Sequence, residues 1–311
     1  MPPDNRALSP LALGGTVFFP DPWGAGAADL LKVYEAAFEQ GINHFDTASG
    51  YGDGASERLV AQFLTGKRER VFVASKAALD EMSAALMVGQ VDESLRRLQT
   101  DVIDLYYIHW PRQGQDLRPL MEGLETARRQ AKIKAIGVSN FSIQQMAQVA
   151  EVGHIDAHQL CYNLLWRFPE ADIIPFCKQH GIAVVTYSSI AQGILTGKFP
   201  RQPPDEAADS RGRTVHFDSE VWPHVYDAVE QFKQIAAEIA RPLTQLAIRW
   251  VLQQPVIHTA VVSARSPQQI EQNVKALHGD IPDSVFARLT AISDEAMKYI
   301  PDAGNVYRYY P

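Results

Sequence analysis

A chain of 311 residues, 46% hydrophobic and 21% charged, can bury one large α/β barrel or two smaller domains. A formal charge of −7 with a pI near 5.7 offers no basic footprint for nucleic acid, and no apolar stretch approaches the roughly 18 residues of a membrane span. Only two cysteines occur, Cys161 and Cys177, without metal-type spacing. The first residues lack the basic-then-apolar pattern of a signal peptide, so a reducing cytoplasmic setting and small-molecule chemistry are the expectation.

Strand-like runs alternate with amphipathic helical stretches as far as about residue 275. LALGGT (11–16) reads as the first strand. ADLLKVYEAAFEQG follows as a helix with Leu30, Tyr34, Ala37 and Phe38 on one face and Gly41 as its stop. INHFD (42–46) is the second strand, ERLVAQFL the second helix, VFVAS (71–75) the third strand, QVDESLRRLQ the third helix and VIDLYYIH (102–109) the fourth strand. Then come a helix around LRPLMEGLETARRQ, a strand at KIKAIGVS, a helix in IQQMAQVAE and a strand at HIDAHQ. DIIPFCKQHG reads as a helix despite its proline, IAVVTYS (182–188) as the seventh strand and VIHTAVVS (256–263) as the eighth. Eight strands with helical crossovers and no break in composition predict a closed (β/α)8 TIM barrel, one domain spanning residues 1–311. Two stretches interrupt the period. Residues 198–219 are polar and proline-rich, either a functional cover or a mobile loop, and the tail YIPDAGNVYRYYP is aromatic without helical period.

The ionisable residues fall at strand ends. Asp46 closes the second strand, Lys76 directly follows the third and His109 closes the fourth, so a parallel barrel brings all three to one rim. Tyr51, five residues beyond Asp46, lies in the loop on that rim. An isolated phenol titrates near pH 10, too weak an acid for ready proton transfer at neutral pH. A neighbouring Lys76 ammonium would favour the phenolate, Asp46 would hold the lysine charged, and a neutral His109 could fix a carbonyl oxygen beside the hydroxyl. A proton delivered to oxygen needs a hydride delivered to carbon, which no side chain supplies; a nicotinamide cofactor is implied. Gly50, Gly52 and Gly54 do not satisfy G-x-G-x-x-G and read as turn glycines. GILTGK (193–198) falls one residue short of a P-loop and has Phe199 where a hydroxyl residue should follow. SARSPQQIEQN (263–273) is a strong helix start, with Ser266 as N-cap, Pro267 at the first position and Gln269 at the third. Its exposed amides attract an anion.

Together GINHFDTASGYGDGASE, ASK (74–76), LYYIHW (105–110), KIKAIGVSNF, HQLCYN and TYSSIAQGILTGK resemble, in order, the signatures of the aldo-keto reductase family. The resemblance implies a tetrad of Asp46, Tyr51, Lys76 and His109, and hydride transfer between NADP(H) and a small carbonyl or alcohol substrate. It implies that Ser139, Asn140 and Gln159 hydrogen-bond the nicotinamide carboxamide and that Tyr187 stacks on its ring. Ser188, Gly193, Leu195 and Lys198 would form the pyrophosphate strap. Ser263, Arg265, Gln269, Gln272 and Asn273 would hold the adenosine end, with Arg265 on a 2′-phosphate favouring NADP(H) over NAD(H). Two positions depart from the family pattern: Ser263 stands where many relatives have glycine, and Gln272 where a glutamate commonly meets the adenine amino group.

Blander readings stand beside these. Asp46 and Lys76 could be only a structural ion pair, Arg265 a solvated surface residue, and Trp23 and Trp110 either substrate-pocket walls or core. His44 reads as a satisfied interior histidine. His154 and His158, with Glu151, mimic a helical metal site but lie in a predicted strand, and no metal is expected. The terminal tyrosines could pack over a helix without touching substrate. A cofactor-binding regulatory subunit resembling the potassium-channel β subunits is the rival reading from another class, and a metal-dependent barrel hydrolase lacks clustered ligands at strand ends.

Overall fold

Eight parallel strands close on one another in chain order, β8 pairing back onto β1, in a computed structural model that describes residues 7–15, 26–203 and 214–309. They are β1 (Leu11–Gly14), β2 (His44–Asp46), β3 (Phe72–Ala77), β4 (Ile103–Ile108), β5 (Ile133–Ser139), β6 (Ala157–Cys161), β7 (Ala183–Tyr187) and β8 (Ile257–Val262). The outer layer is α1 (Ala27–Glu39), α2 (Ala55–Leu64), α3 (Ala84–Leu98), α4 (Arg118–Arg129), α5 (Ile143–Ala150), α6 (Ile173–Gln179), α7 (Trp222–Glu238), α8 (Leu243–Leu252) and α9 (Pro267–Val274), followed by α10 (Asp283–Met297). This is the (β/α)8 barrel that the alternation predicts.

Period-two alternation sorts the side chains into two cores. Phe72, Ala74, Leu105, Tyr107, Ala135, Ala157 and Ala183 fill the barrel interior. Their outward neighbours, Val73, Tyr106, Ile136 and Val184 among them, meet the helices. Each helix contributes a 3.6-period stripe; α1 buries Leu30, Val33, Tyr34 and Ala37. A fully buried valine or leucine stabilises by roughly 1.5–3 kcal/mol, so these stripes, not intrinsic propensity, hold the helices in place. Gly137 has a close-approach role: a Cβ there would lie 2.2 Å from the ring of Tyr107, so the absence of a side chain on β5 makes room for that tyrosine.

Several boundaries differ from the sequence reading. β3 does not stop at Ser75: Lys76 and Ala77 continue the ladder opposite Tyr107 and Ile108, so Lys76 is a strand residue pointing inward and not the first residue of a loop. α3 begins at Ala84, two turns earlier than expected, because Ser83 caps it and Gly89 within it faces open space. β6 starts at Ala157, after the carboxylate of Asp156 has accepted the Ile136 N–H at 2.8 Å. Pro175 is tolerated in α6 because it lies in the first turn, where N–H groups have no helical acceptor. Residues 204–213 of the polar loop lie outside the described residues.

Candidate active site

Asp46 ends β2, Lys76 sits near the end of β3 and His109 follows β4, so adjacent strands deliver all three to the carboxyl-end rim. The Lys76 ammonium lies 2.5 Å from Asp46 Oδ1 and also donates to the Thr47 carbonyl at 2.9 Å; the two side chains are 1% and 4% exposed. Gln159, on β6 across the barrel, donates through Nε2 to the other Asp46 oxygen at 2.8 Å. Burial holds the Lys76 pKa below its ordinary value, opposed by the charge and hydrogen bond of Asp46 and by the charge of Glu57.

Tyr51 reaches this group from the loop between β2 and α2. Its N–H bonds the Ala48 carbonyl at 3.1 Å, and Gly52 and Gly54, at φ +59° and +75°, take the left-handed conformations that close the turn behind it. The phenol ring is centred 5.5 Å from the Lys76 ammonium and meets the His109 imidazole edge-on at 5.6 Å. Desolvation and then the Lys76 charge push the His109 pKa down to about 3, so the imidazole is neutral and can donate a hydrogen bond without carrying charge.

The residues expected to hold nicotinamide line the next three strand ends. Asn140 has a left-handed backbone (φ +61°); its Nδ2 donates to Ser139 Oγ at 3.0 Å and to the His109 carbonyl at 3.5 Å, and its Oδ1 accepts from the Tyr187 hydroxyl at 2.7 Å. That backbone conformation is rare outside glycine and is held by surrounding bonds, a feature common at binding sites. Gln159 differs from the expectation in one respect, because one hand of its amide is already committed to Asp46. Ser188, also left-handed at φ +58°, opens the loop to Lys198. The N–H groups of Gly193 and Leu195 both bond the Ile190 carbonyl, at 2.9 and 3.2 Å, so they brace the loop internally. Lys198 is exposed, and buried within the loop Ser189 Oγ and Gln192 Oε1 have no hydrogen-bond partner among the described residues.

The expected adenosine group assembles separately, between β8 and α9. Ser266 caps α9 by accepting from Gln269 N at 3.4 Å, as the spacing predicts. Gln269 does not return the bond to Ser266; its Oε1 accepts from the Arg265 N–H at 2.7 Å, one residue further back. Arg265 is exposed at this helix start. Ser263 Oγ donates to the Gly14 carbonyl at 3.1 Å, Asn273 Nδ2 donates to the Ser263 carbonyl at 3.4 Å, and Gln272 Oε1 accepts from Gln245 Nε2 at 3.4 Å.

Trp110 stands beside His109, ring centres 6.3 Å apart, and Tyr309 meets it edge-on at 5.1 Å. The tail therefore does both things the sequence left open: Tyr299 stacks on His224 of α7, ring centres 3.5 Å apart, while Tyr309 packs against the rim at Trp110. The Tyr307 hydroxyl accepts from Gln192 Nε2 at 3.1 Å, and the Val306 carbonyl accepts from Val215 N at 3.1 Å. Trp23 lies outside the described residues. His44 differs from the satisfied interior histidine expected: it is fully buried, meets Phe72 edge-on, lines a cavity of about 280 Å³ with Leu8 and Leu105, and among the described residues neither ring nitrogen has a hydrogen-bond partner. His158 is buried and accepts the Phe141 N–H, whereas His154 is exposed, and no cluster of three metal-type ligands exists among the described residues. Sequence reasoning missed Glu57 and Gln192 and left the partners of the tail tyrosines Tyr307 and Tyr309 open; Glu57, an acid on the inner stripe of a helix, carried a visible signal, and Gln192 none.

A closed parallel barrel with a tyrosine, lysine, aspartate and histidine at its carboxyl-end rim defines a class of oxidoreductase, and comparison with known proteins agrees. Residues 10–294 match the model of the aldo/keto reductase family, and the chain belongs to that family. It is 36% identical to the aldo-keto reductase YhdN of Bacillus subtilis over 85% of this chain and 82% of the relative. It is 31% identical to the NADH-specific methylglyoxal reductase of Escherichia coli over 78% and 81%. Among solved structures, the glycerol dehydrogenase AKR11B4 from Gluconobacter oxydans superposes with a TM-score of 0.82 at 30% identity, covering 95% of this chain and 93% of that one. An aldo-keto reductase from Klebsiella pneumoniae in complex with NADPH gives 0.75 at 26% identity, covering 96% and 94%. No described helix is long and apolar enough to cross a membrane.

Proposed function

We propose that this protein moves hydride between NADP(H) and a small carbonyl or alcohol, with Tyr51 as the group that gives or takes the proton on substrate oxygen. The observation that carries the reading is the Tyr51 ring, 5.5 Å from an ammonium that is itself 2.5 Å from a buried carboxylate, at the rim where barrel active sites are built. Lys76 stabilises negative charge developing on the phenol oxygen, and Asp46 keeps Lys76 charged. His109, neutral, donates to the substrate oxygen and orients it toward Tyr51. Trp110 and Tyr309 form an aromatic wall beside that oxygen, and the wall favours small substrates with an apolar flank.

The residues present fit a dinucleotide. Asn140, Ser139 and Tyr187 offer amide, hydroxyl and aromatic contacts next to the tetrad, and the Ser189 hydroxyl and Gln192 amide oxygen, without a partner among the described residues, sit in the loop beside it. The capped start of α9 with exposed Arg265 suits a phosphate. A nicotinamide bound there supplies or accepts the hydride at substrate carbon. Arg265 favours the 2′-phosphate of NADP(H); the NADPH-bound Klebsiella structure supports this, and the NADH-specific relative makes NADH the necessary control.

The test is absorbance at 340 nm with NADPH or NADH against a panel that includes methylglyoxal and, in the oxidative direction, glycerol. Turnover with wild type and its loss in Tyr51→Phe, with NADPH affinity retained, is the expected result. Near-normal turnover by Tyr51→Phe overturns the assignment. Tight NADPH binding without turnover on any substrate favours a regulatory subunit.

A further inference from the structure

We propose that Glu57, paired with Arg97 behind β3, is a positioning residue that sets the electrostatic balance around Lys76 and Tyr51 from outside the barrel wall. The proposal rests on the reading of Tyr51 and Lys76 given above. Glu57 lies on α2 with its side chain 0% exposed, among mostly apolar groups of the layer between strands and helices. Burying a carboxylate costs several kcal/mol unless it is paired and fully bonded. Here it is both. Oε1 accepts from the Ser75 hydroxyl at 2.5 Å and Oε2 from the Arg97 guanidinium on α3 at 2.9 Å. Arg97 is 15% exposed, packs where a side chain on Gly54 would otherwise lie, and reaches on to the half-exposed Glu93.

Ser75 is the link to the site. Strand alternation turns Ser75 outward to Glu57 and the next residue, Lys76, inward to Asp46, so the anchor of one carboxylate and the cation of the other are consecutive on β3. Lys76 is faced by Asp46 and His44 from β2, Tyr51 from the following loop, Tyr107 and His109 from β4 and neutral Gln159 from β6. Glu57 adds a second negative charge from the outer side, offset by Arg97. Asp46 and then Glu57 raise the Lys76 pKa against the burial that lowers it.

Removing an anion lowers the pKa of every nearby group, and removing a cation raises it, whichever of Tyr51 and Lys76 is titrating. Glu57→Gln should therefore move the alkaline limb of kcat/KM for NADPH-dependent methylglyoxal reduction to lower pH, and Arg97→Met should move it to higher pH, each by about 0.5 unit or more. Arg97→Lys should restore the limb. The same signs are expected in the phenolate absorbance titration at 295 nm, read as the difference between each variant and its Tyr51→Phe counterpart, which needs no turnover. Both substitutions break the same ion pair, so a purely structural role would lower stability in both without opposite shifts. Arg97, 15% exposed, keeps the sign test available if Glu57→Gln does not fold. Shifts that are absent or of one sign in both readouts overturn the role of Glu57; an active Tyr51→Phe enzyme overturns the underlying assignment instead.

Discussion

Lowering the pH from 7 to 5 probes three histidines that the fold buries completely. His44 stands edge-on to Phe72 with neither ring nitrogen bonded to any described residue, His158 accepts the Phe141 N–H at 3.2 Å, and His216 donates to the Leu165 carbonyl at 2.8 Å; all three are 0% exposed. Burial pushes their pKa values down to about 4, about 3 and about 4. In the unfolded chain each titrates near pH 6.5, so below that pH the unfolded state binds protons that the native state refuses. Stability from these groups is complete above about pH 6.5 and is lost as the pH falls toward 4 and 3. By pH 5 each has lost about 2 kcal/mol, and with His109, also held down to about 3, the four together about 8, with a slope near 5 kcal/mol per pH unit, against a typical total of 5–15. Urea unfolding at intervals between pH 7 and 4.5 measures this. His44→Phe, which removes one of these four protons, should flatten the slope by about a quarter. A free energy of unfolding that changes by less than about 2 kcal/mol between pH 7 and 5 would refute the reasoning. So would a His44→Phe slope equal to wild type.

Lys76→Met should abolish turnover and also destabilise the fold by about 3–5 kcal/mol in urea, because Asp46 is left buried with Gln159 as its remaining side-chain donor; adding Asp46→Leu should recover much of that loss. Gly137→Ala should cost about 1–3 kcal/mol in the same assay by driving a methyl into the Tyr107 ring. Tyr307→Phe should weaken NADPH binding about 2- to 10-fold by fluorescence titration, the loss of the hydrogen bond that braces Gln192 being worth about 0.5–1.5 kcal/mol, with kcat little changed.

The barrel and its rim were legible in the residues because both depend on local pattern. Alternation in runs such as VIDLYYIH marks strands, helical stripes mark crossovers, and eight such units leave a parallel barrel as the way to bury every strand on both faces. Strand-end positions then brought Asp46, Tyr51, Lys76 and His109 to one rim, where the structure places them. What the pattern could not supply was partnership across the fold. That Gln159 clamps Asp46 depends on residues 113 positions apart. That Tyr307 meets Gln192 and Tyr309 meets Trp110 depends on where the tail returns, and the tail has no period to read. His44 looks like any interior histidine in sequence; only the packed barrel, with alanines on the facing strands, leaves its ring without a hydrogen-bond partner among the described residues. Periodicity is a property of neighbours along the chain and is set residue by residue, whereas hydrogen-bond satisfaction and charge balance are set by whichever distant groups the closed barrel brings within about 3 Å.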